Sequence, residues 1–74
     1  MKAILNHSLV CDVIKYDLEQ GIFYKLVVYN EGSLYRISIP KESVKNWKSG
    51  IGQYTDIECN MTVFDGKSKF KIAE

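Results

Sequence analysis

The chain has 74 residues, 10 Lys and Arg against 9 Asp and Glu, and a formal net charge of +1. One small domain fits in that length, which excludes a large enclosed cofactor pocket. The near-neutral charge excludes a protein driven by bulk positive charge alone, although a local basic stripe stays compatible with it. Chains this short need help from a closed sheet, a dimer or a cross-link to be stable.

The two cysteines, Cys11 and Cys59, sit inside apolar, strand-like runs. With no signal sequence in MKAILNHSLVC, they fit buried thiols of an intracellular protein better than a disulfide. No stretch reaches the length of a membrane span, so a cytoplasmic protein without membrane partners is expected.

Gly, Asn and Asp recur about every ten residues, the spacing of short strands in an all-β barrel or sandwich. The first strand is predicted within Leu9–Tyr16, with Lys2–Leu5 as its candidate extension. Its inward side is ambiguous. Leu9, Cys11 and Val13 form one apolar set and Val10 and Ile14 another, as in a strand that changes its buried side at a bulge. Asp17-Leu18-Glu19-Gln20-Gly21 reads as a longer loop into the second strand.

Ile22–Pro40, IFYKLVVYNEGSLYRISIP, is the organising stretch. Two apolar runs flank Asn30-Glu31-Gly32-Ser33, a turn whose Gly accepts positive φ. A turn at Glu31-Gly32 sets Tyr29 opposite Leu34, Val28 opposite Tyr35, Val27 opposite Arg36 and Lys25 opposite Ser38. One face then carries Tyr24, Leu26, Val28, Tyr35, Ile37 and Ile39 as core. The other carries Lys25, Val27, Tyr29, Leu34, Arg36 and Ser38, mixing cations with an aromatic.

Pro40 ends the third strand. In KESVKNWKSGIG, Val44 and Trp47 stand three apart and Gly50 is placed like a helix C-cap. This is one or two helical turns, or an irregular loop. The last hairpin joins Thr55–Phe64 to Lys67–Ile72 through Asp65-Gly66, a type I′ signal. The register pairs Phe64 with Lys67, Thr62 with Lys69 and Asn60 with Lys71. Ile57, Cys59, Met61, Val63, Phe70 and Ile72 then face inward, and Asn60, Thr62, Phe64, Lys67, Lys69 and Lys71 face outward.

No catalytic constellation stands out. His7 is the sole histidine and has no Cys or His at metal-ligand spacing. Asp56 and Glu58 share a strand face without a partner, and Gly50-Ile51-Gly52 lacks the rest of a phosphate-cradling loop. These read as solvated side chains and a turn, so neither an enzyme nor a cofactor is expected. The Lys67, Lys69, Lys71 stripe can track phosphates, or guard a terminal strand against edge pairing. Tyr29 and Phe64 fall on outer faces beside cations. Tyr16 and Phe23 flank the first loop with Lys15 and Lys25 nearby, and Trp47 lies between Lys45 and Lys48. Aromatics interleaved with cations suit base stacking on a single strand, and equally a protein interface.

Five strands with a helical or irregular segment between the third and fourth is the plan of an OB-fold barrel. From Leu26 onward the chain resembles the small helix-destabilising single-stranded DNA-binding proteins of filamentous phages and mobile elements. The KLVVYNEGSLYRISIP hairpin, Gly52-Gln53-Tyr54-Thr55 at the start of the fourth strand, Phe64, and the basic, apolar Lys67–Ile72 carry the resemblance. The family's basic first segment is represented by Lys2 and Lys15, and its arginines by Arg36. The resemblance implies a homodimer that coats single-stranded DNA cooperatively, without sequence preference, in DNA replication. Phe64 matches a base-contacting aromatic, and Tyr29 is similarly placed near the tip of the central hairpin.

The leading expectation is a small five-stranded OB-like barrel, residues 1–74, that binds single-stranded DNA. The expected phosphate contacts are Lys15, Lys25, Arg36, Lys48, Lys67, Lys69 and Lys71, and the expected stacking residues Tyr16, Tyr29, Trp47 and Phe64. RNA on the same face is not separable by sequence. The alternative is a small protein-interaction or regulatory module that binds no nucleic acid.

Overall fold

The computed structural model describes residues 1–73. Its strands are β1 (Lys2–Leu18), β2 (Gly21–Asn30), β3 (Ser33–Ile39), β4 (Tyr54–Phe64) and β5 (Lys67–Ile72). Between β3 and β4 stand a 3-10 turn, Lys41–Ser43, and one short helix, α1 (Val44–Ser49). The strands close into a barrel in the order β1-β2-β3-β5-β4. All neighbours are antiparallel except β3 and β5. This is an OB-like barrel, with the expected helical segment in the expected place.

β1 makes closure possible. Its first half pairs with β4, from Lys2–Asn60 to Leu9–Tyr54, and its second half with β2, from Leu9–Tyr29 to Leu18–Gly21. A 17-residue strand that serves two neighbours must bend, and bulges supply bends. The register shifts between Leu5 and Ser8 against β4, and between Val10 and Asp12 against β2. Each shift resets the alternation, so the buried residues of β1 are Leu5, Ser8, Val10 and Val13. Neither alternating set is inward throughout; the buried side changes from Val10 to Val13 across a bulge, as the sequence predicts. The strand also runs on to Leu18, and β1 and β2 meet through a turn of Glu19 and Gln20, shorter than the loop expected over Asp17–Gly21.

The first bulge is fastened from inside. His7 takes φ 52°, in the left-handed region. The buried Ser8 hydroxyl donates to the Leu5 carbonyl at 2.9 Å, and accepts from Asn30 Nδ2 at 3.0 Å. Asn30 Nδ2 also donates to the Asn6 carbonyl at 2.7 Å. The carbonyls of the bulge thus find partners, and the end of β2 is tied to β1.

Both expected hairpin registers are present residue for residue. Their turns carry positive φ at both central positions, 46° and 87° at Glu31 and Gly32, 51° and 72° at Asp65 and Gly66. That is the type I′ geometry whose twist matches paired strands. The core is Leu5, Val10, Val13, Leu26, Val28, Ile37, Ile39, Ile57 and Cys59. Tyr24, Tyr35, Phe70 and Ile72 are partly buried against it. Val63, expected inside, is 66% exposed. The tip of the β4–β5 hairpin reaches past the point where β3 pairs with β5, so no strand covers it there.

Val44 and Trp47 of α1 pack on the core. Gly50 caps the helix with right-handed φ −92° rather than a left-handed cap, and the positive φ, 89°, falls at Gly52. The Gly52 N–H then donates to the Val10 carbonyl at 2.8 Å, anchoring the loop to β1. Among the described residues no helix is long and apolar enough to cross a membrane.

Candidate functional site

The outer face of β2 and β3 presents its residues in the expected cross-strand pairs, Lys25 with Ser38, Val27 with Arg36 and Tyr29 with Leu34. β3 and β5 pair only at Ile37–Phe70 and Ser38–Lys71. Toward the start of both strands the ladder stops, and a cleft of about 400 Å³ opens there. Lys25, Arg36 and Lys69 line it, with Leu34, Ser38 and Ser68. Tyr35 and Phe70 also line the cleft, their rings edge to face at 5.4 Å between centroids. Both rings are partly buried against the core, which makes that wall rigid.

Among the described residues no carboxylate lines the cleft. Among the described residues the one ion pair joins Lys2 to Glu58 at 2.8 Å. The hydrogen bond to Glu58, and then its charge, raise the Lys2 ammonium above its ordinary pKa. Asp56 is engaged elsewhere, since its Oδ1 accepts the His7 backbone N–H at 2.7 Å. Among the described residues Lys25, Arg36 and Lys69 are in no ion pair, and these three cations give the cleft its positive charge.

Two aromatic rings lie under those cations. Lys69 Nζ stands 5.9 Å from the Phe64 ring centre, and Lys25 Nζ stands 5.8 Å from that of Tyr16. Both distances are within cation–π range. Phe64 is 66% exposed and Tyr29 47% exposed, so each has a ring face open to a ligand. Lys67 sits opposite Phe64 at the hairpin end, and Lys71 sits opposite Ser38 just past the cleft.

Comparison with protein-family models, curated proteins and solved structures found no match.

Of the residues expected at the site, Lys25, Arg36 and Lys69 line one cleft. Tyr16, Tyr29, Phe64, Lys67 and Lys71 lie beside those three or directly across from a lining residue. Three others are set apart. Lys15 pairs with Tyr24, two residues along from the buried Val13–Leu26 pair and so on that pair's side of the sheet, opposite to Tyr16. Trp47 packs on the core from α1, which makes it part of the barrel plug, and Lys48 follows it on that helix. Neither lines the cleft. The sequence reading missed Ser68, and it assigned Tyr35 and Phe70 to the core alone. Lining residues come from both faces of the strands because the cleft forms where the strands part. Alternation alone carries no signal for that.

Proposed function

We propose that this barrel binds single-stranded DNA without sequence preference and coats it as a homodimer, a role suited to DNA replication. The observation that carries the reading is the cleft of Lys25, Arg36 and Lys69, with no carboxylate among its described lining residues, beside the open rings of Phe64 and Tyr29. Phosphates would occupy the cleft, where guanidinium and ammonium groups exchange condensed counterions for direct contacts. Bases would stack on the open rings, an interaction that tolerates any sequence because every base has a π-face. The position supports the reading too. OB barrels bind oligonucleotides on the face of strands 2 and 3, between the first and last hairpin loops.

The test is a titration of labelled oligo(dT), oligo(U) and a matched DNA duplex at low and moderate salt, with sedimentation of the free protein. Salt-sensitive binding to oligo(dT) well above the duplex is expected, and oligo(U) ranks RNA against DNA. No binding to any of them at low salt refutes the reading, and the exposed rings would then belong to a protein interface.

A further inference from the structure

Register places a second set of apolar side chains side by side on the outer surface. Leu34 pairs with Tyr29, Tyr29 with Leu9, and Leu9 with Tyr54. Directly paired residues point to the same side of a sheet, so these four form one row across β3, β2, β1 and β4. Three inter-strand steps make it about 14 Å long. Three of the four are exposed, Leu34 67%, Tyr29 47% and Tyr54 58%, and Leu9 is half-buried between the two tyrosines.

The far end of the row is built with backbone strain. His7 sits in the left-handed region at φ 52°, where a non-glycine residue is uncommon. Its N–H is held by Asp56 Oδ1 at 2.7 Å. Its ring lies on that of Tyr54, with centroids 4.5 Å apart and planes inclined by 12°. The bulge thus sets two parallel rings on the surface, where an exposed strand residue would ordinarily turn its side chain alone to water.

We infer that the row Leu34, Tyr29, Leu9 and Tyr54, closed by His7, is a second station for bases of the strand held in the cation cleft. The inference rests on the single-strand reading above and extends it from Leu34 and Tyr29 to Leu9, Tyr54 and His7, which do not line the cleft. Continuity is the first reason, because Leu34 both lines the cleft and begins the row. Charge is the second. The row contains no Lys or Arg, and Asp56 stands at its far end. A phosphate is disfavoured there, whereas an uncharged base is not. A strand crossing from cleft to row therefore turns its bases inward along the row and leaves its phosphates in solvent.

The experiment compares oligo(dT) of about 4 and about 16 nucleotides, the limits of site size for one OB barrel, on wild type, Tyr54→Ala and Tyr54→Phe. Tyr54→Ala should weaken binding of the longer strand by about 5- to 150-fold, the range of one lost base stack. The short strand, held at the cleft alone, should bind as before, and Tyr54→Phe should restore the longer one. Unchanged affinity of Tyr54→Ala for the longer strand overturns the inference while leaving the cleft in place. So does a sedimentation change from dimer to monomer in that variant, which would make the row a contact between copies. If wild type binds neither length, the single-strand reading itself falls and the inference with it.

Discussion

Replacing Lys25, Arg36 and Lys69 together by Gln removes the charge of the cleft and keeps much of each aliphatic stem. The stems matter because Lys25 and Lys69 lie over Tyr16 and Phe64. Each phosphate contact on a single strand contributes about 0.7 to the slope of log affinity against log salt. If all three cations touch phosphate, the triple variant loses about 2 from that slope. Between about 50 and about 200 mM salt, wild type should then lose about 20-fold more affinity for oligo(dT) than the variant does. Fluorescence anisotropy of a labelled strand across that range gives the slopes, and thermal unfolding checks that the barrel is intact. An unchanged slope in a folded variant would refute the reasoning. The lysines would then guard the hairpin against edge pairing.

Phe64→Ala should weaken oligo(dT) binding by about 1–3 kcal/mol and leave the unfolding midpoint nearly in place, because the ring is 66% exposed. A large fall in the midpoint would place Phe64 in the fold rather than the site. Ser8→Ala removes both the donor to Leu5 and the acceptor for Asn30, and should cost about 1–3 kcal/mol in urea unfolding. A neutral substitution would mean that the bulge does not depend on this network. Cys59 is fully buried and burial raises its thiol pKa. It should resist a thiol reagent at pH 8 until the barrel unfolds. Modification at the rate of a free thiol in the native protein would contradict its burial.

The parts of the fold legible in the sequence are those set by local chemistry. Asp65-Gly66 and Glu31-Gly32 dictate turns, and turns dictate registers, so two hairpins and their outer faces follow. Pro40 and the Val44–Trp47 spacing mark the helical plug in the same way. β1 was less legible because its bulges at His7 and Cys11 break the alternation that sequence patterns rest on. What fixes the first bulge is Asn30, 22 positions along the chain from Ser8. Val63 follows the inward parity yet lies in solvent, because parity does not say where a neighbouring strand ends. The site was legible as a set of cations and rings on predicted faces. Its concave shape arises from the short parallel contact of β3 with β5, a pairing between distant segments that no local signal announces. Trp47 shows the converse, since the lysines on either side of it suggested a ligand and the core took the ring.

The most direct test of the central claim is an amide chemical-shift titration of the isotopically labelled protein with oligo(dT). Binding in the cleft predicts shifts concentrated at Lys25, Leu34, Arg36, Ser38, Ser68 and Lys69, with α1 from Val44 to Ser49 unmoved. Shifts centred on α1, or none at all at saturating oligonucleotide and low salt, would contradict it.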